Sequence, residues 1–430
     1  MTARQIAPSA LRGRVTPPPS KSVLHRMALC AALAGGVSTI RGYAPCDDLT
    51  ATLNALTAMG ATVTHEHDTL TVDTSAGFRT DAGIIDCLES GSTLRFLLPV
   101  LGALGITATL TGQGRLPARP LGIYRELLPA HGRSLTKTGD WELPLSVGGQ
   151  LRPGHFELPG NVSSQFITGL LLALPLLAAE PAAGESTIVL TSPLESAPYV
   201  DMTIAVMRAF GVGVIQREGL YRLAAPNHYQ SGNHTAEADW SAAAFWLAAG
   251  ALCGDITLHG LNPASHQGDK EVIDVFRQFG ADITLQNDTV YIKQSNLHGI
   301  DLDAADIPDM VPAVCAAAAF AQGQTHIRSA ARLRLKESDR LAGCAQNLRL
   351  LGCPVEETAD SLTITGIPRS AARPAALNGC ADHRMVMAFA VALAAGAGGS
   401  ITDPESAAKS YPAFWQDFTH LGGVSTPQIS

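Results

Sequence analysis

The chain has 430 residues, of which 46% are hydrophobic, 16% charged and 5% aromatic, and it carries a net charge of -8. That length exceeds one ordinary core and implies two or three domains, while so apolar a composition excludes a disordered chain. The acidic balance argues against general affinity for nucleic acid, so any site for an anion must be local.

The opening MTARQIAP lacks both the apolar run of a signal peptide and an arginine-rich transit segment. Later apolar runs are broken by polar or small residues and fall short of the ~20 residues that a bilayer span requires, so no membrane partner is expected. The cysteines, Cys30, Cys46, Cys87, Cys253, Cys315, Cys344, Cys353 and Cys380, form no CxxC pair and no zinc spacing. With Cys30, Cys253 and Cys315 inside apolar runs, packing in a reducing cytoplasm is the expectation.

In chain order, two kinds of helix alternate. The first kind is apolar nearly all round: KSVLHRMALCAALAGG, GSTLRFLLPVLGALG, SSQFITGLLLALPLLAAE, WSAAAFWLAAGALCGD, MVPAVCAAAAFAQGQT and DHRMVMAFAVALAAGAGG, beginning near residues 21, 91, 163, 240, 310 and 382. Such helices belong inside a domain. The second kind has one polar face and belongs outside: DLTATLNALTAMGATV, RPLGIYRELLPAHGRSL, DMTIAVMRAFGVGV, DKEVIDVFRQFGADI, DRLAGCAQNLRLLGCPV and YPAFWQDFTHLGGVS. These helices end at Gly60, Gly132, Gly211, Gly280, Gly352 and Gly422, because glycine takes the left-handed conformation beyond a helix C-terminus cheaply. The glycines are 72, 79, 69, 72 and 70 residues apart, a sixfold repeat.

Short runs such as TLTVDT, TVYIKQ and SLTITG read as strands. Each repeat is then a mixed α/β module with one inner and one outer helix. Six modules make either one solenoid or two three-module domains, and domain size favours two. A candidate junction is APNHYQSGNHTAEAD, residues 225–239, and a second is the proline run at 17–19 if the N-terminal strand belongs with the C-terminal half. The expected domains are 18–237 and 1–17 plus 238–430.

The inner helices concentrate polar residues in their first turns. Lys21, Ser22, His25 and Arg26 open the first, Glu89, Gly91, Ser92, Thr93 and Arg95 the second, and Ser163, Ser164 and Gln165 the third. Asp239 and Ser241, then Asp309, then Asp382, His383 and Arg384 open the others. At about 100° per residue Lys21, Ser22, His25 and Arg26 share one side, so a helix start can face a polar cleft while its body fills the core. Free N–H groups and a partial positive charge at a helix start suit phosphate or carboxylate. Ser163, Ser241 and Asp239, taken singly, read first as ordinary caps. Lys21, Arg26, Arg95 and Arg384 do not, because a cation at a helix start calls for a compensating anion. Further basic groups are Arg119 and Arg125 around a Pro-Leu-Gly turn, Lys336 and Arg340 in LRLKESDRL, and Lys409. KESDR by itself reads equally as a solvated run whose cations pair with acids at helical spacing.

Nine motifs, PSKSVLHR, ESGSTLR, ARPL, GNVSSQF, SAPYVDMT, IPDMVP, LRLKESDRL, DHRMVMA and KSYPAF, in that order and across almost all of the chain, resemble the motif series of the 5-enolpyruvylshikimate-3-phosphate synthase family. The resemblance implies an α/β fold of two similar domains, each of three repeated units with buried parallel helices. This is an inside-out α/β barrel, with the active site in the interdomain cleft. It implies transfer of the enolpyruvyl group of phosphoenolpyruvate to the 5-hydroxyl of shikimate 3-phosphate, with release of phosphate. Both small-molecule substrates carry a phosphate and a carboxylate, which accounts for clustered Lys and Arg in an acidic protein. Neither a metal nor an organic cofactor is called for, a monomer is expected, and domain closure would exclude water.

Carried over by motif, Lys21, Ser22, Arg26, Ser163, Ser164, Gln165, Ser196, Asp309 and Lys336 would bind shikimate 3-phosphate. Lys21, Gly91, Arg119, Gln165, Arg340, Arg384 and Lys409 would hold phosphoenolpyruvate. Glycine at 91 keeps that small site open and implies sensitivity to glyphosate. Addition–elimination needs a base for the hydroxyl proton and an acid for C3; Asp309 is assigned the first task and Glu337 the second, with Lys21 and Lys409 stabilising the departing phosphate. Two positions depart from the family pattern: Glu89, where many members have Asn, would repel phosphoenolpyruvate unless paired, for which Arg95 is the nearest cation in sequence. Arg332 stands where some members have Asn.

Two alternatives remain at this level. The enolpyruvyl transferase acting on UDP-N-acetylglucosamine shares the architecture but would show Lys-Asn at the first helix and a loop cysteine near 119, and QGRLPARPLG has none. A non-catalytic anion-binding protein would not require Asp309 and Glu337 among the cations.

Overall fold

The computed structural model describes residues 2–177, 186–223 and 227–428. The end of the third apolar run, 178–180, and residues 225 and 226 of the candidate junction lie outside the described residues. The described strands form six sheets, each of four strands. Every sheet has the same plan, one parallel pair followed by two antiparallel pairs. The second repeat shows the order: strand Asp81–Asp86, inner helix Gly91–Ala103, parallel strand Thr107–Thr111, outer helix Gly122–Ala130, then the antiparallel strands Ser134–Lys137 and Leu145–Gly148. A parallel pair cannot be closed by a tight turn, so the inner helix serves as its crossover.

The inner helices are Lys21–Leu33, Gly91–Ala103, Ser164–Leu177, Trp240–Cys253, Val311–Ala318 and His383–Ala395. In Trp240–Cys253 every residue except Ser241 is buried, and the last two are buried throughout. Each large apolar side chain so buried contributes roughly 2 kcal/mol. The outer helices bury one face only; Gly122–Ala130 buries just Tyr124 and Leu128. All six glycines expected beyond the outer helices have positive φ, from 84° to 111°.

The chain divides into two compact units, Lys21–Ala236 and Met1–Ser20 with Glu237–Ser430. Each has its own hydrophobic core. The second unit takes two strands from the N-terminal residues. Ala3–Ala7 lies antiparallel between Gly399–Thr402 and Val424–Gln428, and Leu11–Val15 pairs parallel with Gly254–Leu258. Within the first unit, Asn233–Thr235 pairs parallel with Val37–Arg41. The strand that leads the first inner helix's sheet therefore comes from the end of that unit, which closes its three repeats on themselves.

In Lys21–Ala236 the helices Gly91–Ala103 and Ser164–Leu177 pack most closely, and two residues explain why. Pro99 has no N–H, so the Arg95 carbonyl lacks its usual helical donor. Gly169 of the facing helix fills that side: a Cβ there would stand 2.4 Å from the Arg95 oxygen and 2.5 Å from the Tyr124 hydroxyl. Tyr124 donates to the Phe166 carbonyl at 2.7 Å and is wholly buried, so it has no room to retreat. Gly169→Ala is expected to destabilise this unit by about 1–3 kcal/mol, read as a lower urea midpoint. An unchanged midpoint would show that the helices separate freely here.

Candidate active site

In Lys21–Ala236, polar atoms collect at the starts of the inner helices. Lys21 Nζ is 2.7 Å from Asp48 Oδ2. Arg26, one turn further on, is 3% exposed. Its Nε donates to Thr203 Oγ1 at 2.8 Å, Nη1 to the Ser22 carbonyl at 2.7 Å, and Nη2 to the Tyr199 carbonyl at 3.1 Å and to Thr168 Oγ1 at 3.5 Å. All of these partners are neutral, and burial pushes the guanidinium down to about 10. A buried cation with no carboxylate beside it is costly, by several kcal/mol, unless an anion joins it.

His25 takes a different role. Burial first, then the charges of Lys21 and Arg26, push its imidazole well below the ordinary value. It is therefore neutral at physiological pH, with Nδ1 2.7 Å from Thr52 Oγ1. Thr52 Oγ1 is 2.7 Å from Thr93 Oγ1, which lies 2.8 Å from Ser90 Oγ. That chain of hydroxyls is a polar seam inside the core.

Arg95 Nη1 donates to Gln165 Oε1 at 2.6 Å and Nη2 to the Pro120 carbonyl at 3.2 Å, while Gln165 Nε2 donates to Ser92 Oγ at 3.0 Å. Gln165 is thereby locked between two inner helices. Gly91 and Arg119 are neighbours: a Cβ at 91 would lie 2.6 Å from Arg119 Nη1. The half-buried Glu89 carboxylate packs beside Gly114, whose φ is +56°. Ser163 Oγ accepts from the Gln165 amide at 3.3 Å, so it caps. Ser196 is 3% exposed with φ +56° at the start of the outer helix Ala197–Ala209. Among the described residues, the hydroxyls of Ser22 and Ser164 make no side-chain hydrogen bond.

In the other unit the groups are densely ionic. Arg340, 1% exposed, donates Nε to Asp382 Oδ2 at 2.8 Å, Nη2 to Asp382 Oδ1 at 3.2 Å and to Glu337 Oε2 at 2.7 Å, and Nη1 to Asp309 Oδ1 at 2.9 Å. Those bonds occupy four of the five guanidinium N–H groups and leave one on Nη1. Burial would lower this cation, but Asp382, Glu337 and Asp309 hold it well above its ordinary value. Burial would likewise raise Asp382, yet Arg340 and His383 keep its carboxyl below the usual range. Asp382 also accepts from Ser338 Oγ at 3.0 Å and caps His383–Ala395 through the Arg384 amide at 3.0 Å.

Asp309, on the one-turn 3-10 helix Pro308–Met310, is the meeting point. Its Oδ1 is 3.2 Å from Lys336 Nζ and 2.9 Å from Arg340 Nη1, and its Oδ2 is 3.0 Å from Arg384 Nη2. Lys336 is lowered by burial, with Asp309 pulling the other way. Lys409 ends the 3-10 helix Pro404–Lys409 and donates to the Ala381 carbonyl at 2.8 Å, next to the start of the sixth inner helix. Arg332 Nη2 donates to the Ala305 carbonyl.

The KESDR run is thus not a solvated face: Lys336, Glu337 and Arg340 all turn into one ionic cluster. Asp48, Asp382 and Asp269 were not singled out as partners by sequence, because an acid near a helix start reads as a cap. Ser241 is not a cap: its hydroxyl donates to Asp269 Oδ2, and the cap is Asp239, which accepts from the Ala242 amide at 3.0 Å.

A family model described as EPSP synthase (3-phosphoshikimate 1-carboxyvinyltransferase) matches residues 6–418. The chain is 38% identical over 427 residues to the 3-phosphoshikimate 1-carboxyvinyltransferase of Clostridium kluyveri, covering 97% of each. It is 39% identical over 428 residues to that of Clostridium botulinum strain Eklund 17B, again covering 97% of each. Among solved structures, an EPSP synthase from Acinetobacter baumannii matches with a TM-score of 0.84 at 28% identity, covering 100% of both chains. The enolpyruvyl transferase NikO from Streptomyces tendae, at 19% identity and TM-score 0.79, covers 100% of this chain and 99% of its own and shares the fold. Matches that run through both units and nearly end to end lead to one assignment: the chain belongs to the EPSP synthase family.

Proposed function

We infer that the chain transfers the enolpyruvyl group of phosphoenolpyruvate to the 5-hydroxyl of shikimate 3-phosphate and releases phosphate, a step of the shikimate pathway towards chorismate and the aromatic amino acids. The observation that carries this reading is Asp309, a carboxylate bonded at once by Lys336, Arg340 and Arg384 with Glu337 on the same guanidinium. Simple anion binding has no use for two carboxylates among its cations. An addition–elimination needs both. The uncompensated Arg26 supplies the complementary requirement, a buried positive charge for a phosphate.

The residues then divide as follows. Lys21, Ser22, Arg26, Ser163, Ser164, Gln165, Ser196, Asp309 and Lys336 bind shikimate 3-phosphate, and Lys21, Gly91, Arg119, Gln165, Arg340, Arg384 and Lys409 bind phosphoenolpyruvate. Three cations around Asp309 weaken it as a base. Substrate carboxylate and phosphate draw Lys336 and Arg384 to themselves, and Asp309 is freed to accept a proton. The 5-hydroxyl oxygen attacks C2 as that proton leaves, and Glu337 delivers a proton to C3, giving a tetrahedral ketal. Loss of a C3 proton then re-forms the double bond as the C2–O bond to phosphate breaks, with Lys21 and Lys409 taking up the charge. The unbridged cysteines support a cytoplasmic location.

The direct test is phosphate release from phosphoenolpyruvate that depends on shikimate 3-phosphate and is blocked by glyphosate. Release with UDP-N-acetylglucosamine instead, or with neither acceptor, would overturn the reading. Asp309→Asn and Glu337→Gln are each expected to lower kcat by about 10²–10⁴-fold, and near-normal turnover in either removes its assigned role. In Gly91→Ala the new methyl must displace the Arg119 guanidinium; KM for phosphoenolpyruvate is expected to rise about tenfold, with weaker inhibition by glyphosate. An unchanged KM would place phosphoenolpyruvate elsewhere.

A further inference from the structure

Asp269 carries no sequence signal: in HQGDKEV, an acid at the start of a short helix is an ordinary complement to the helix dipole. In the fold its side chain is 3% exposed. Ser241, at the start of the inner helix Trp240–Cys253, donates its hydroxyl to Asp269 Oδ2. The other oxygen, Oδ1, is buried with no hydrogen-bond partner among the described residues. A buried acceptor left without a donor is costly, so its persistence asks for a purpose.

The charges that act on Asp269 come from three elements: Asp309 from the turn Pro308–Met310, Arg384 from His383–Ala395, and Asp239 from the cap of Trp240–Cys253. On its own turn, Lys270 is tied to the Ser265 carbonyl at 2.7 Å, and Glu271 faces Asp306 and Asp274. Asp269 therefore shares Arg384 with Asp309 but has no ion pair of its own among the described residues.

We propose that Asp269 is a positioning residue that acts through Asp309: ionised, it strengthens Asp309 as a proton acceptor by like-charge repulsion, and neutral, it does not. The inference rests on the reading of Asp309 as the group that takes the hydroxyl proton. Burial and the Asp309 charge push the Asp269 carboxyl up to about 7, against the pull of Arg384 and the Ser241 bond. Turnover rises with pH as Asp269 ionises, because a neighbouring negative charge raises the proton affinity of Asp309 while three cations lower it. The bond from Ser241 favours the ionised form, so the serine sets where that rise occurs.

The test is the pH dependence of kcat and KM from about pH 5.5 to about pH 9 for the wild type, Asp269→Asn, Ser241→Ala and Asp309→Asn. The wild type is expected to show a rising limb near pH 7. Asp269→Asn, permanently neutral, loses that limb and falls about tenfold in kcat on the alkaline side, with KM for both substrates within about twofold. Ser241→Ala moves the limb to higher pH. A wild-type limb in Asp269→Asn, or a limb in Ser241→Ala that stays or moves down, overturns the proposal. If Asp269→Asn does not fold, Ser241→Ala decides alone. Asp309→Asn separates the two claims: retained turnover there removes the base assignment and this inference with it, whereas lost turnover with an unaltered limb in Asp269→Asn removes this inference only.

Discussion

A helix that is apolar on every side can carry polar atoms only at its ends. The inner helices are of this kind, buried throughout in Val311–Ala318 and His383–Ala395, and this constraint orders most of what the chain does. The body of each helix supplies core. Its start, where four N–H groups lack helical partners, is the one place where charge can be kept without breaking that core.

The two units meet this constraint with opposite electrostatics. In Lys21–Ala236, Arg26 is solvated by carbonyls and hydroxyls, so a positive charge is held in reserve. In the other unit Arg340, Lys336 and Arg384 stand against Asp309, Glu337 and Asp382, so the cluster's charges nearly balance one another. Removing one member of such a buried cluster leaves its partner uncompensated, at a cost of about 3–5 kcal/mol. Arg340 consequently ties three carboxylates of the fold together, with one Nη1 N–H left over among the described residues. Lys336 has Asp309 alone as its ion-pair partner among the described residues.

Much of the fold was legible because its signals are local. The glycines at Gly60, Gly132, Gly211, Gly280, Gly352 and Gly422 mark helix ends through their own φ, and all-round apolarity marks the inner helices without reference to partners. The site was legible as residue types at helix starts, while its pairings were not. Lys21 finds Asp48, 27 residues away, and Arg340 finds Asp382, 42 residues away. No spacing rule reaches so far, since such pairs are made by the packing of one element on another. Ser241 was misread for the same reason: it resembles a cap, and only the approach of a separate element brings its hydroxyl to Asp269. His25 shares a helix side with Lys21 and Arg26, yet Thr52 captures it for the core.

The use of the N-terminal residues in the later unit has a consequence for synthesis. Ala3–Ala7 and Leu11–Val15 leave the ribosome well ahead of their partners, Gly399–Thr402, Val424–Gln428 and Gly254–Leu258. Lys21–Ala236 has its own core and all three of its sheets before any of those partners is made. The leader must therefore wait, unpaired, while several hundred residues are translated behind it. Its sequence suits the wait: ARQIA and LRGRV place arginines among the apolar residues, and charge on an unpaired strand discourages premature pairing with another nascent chain.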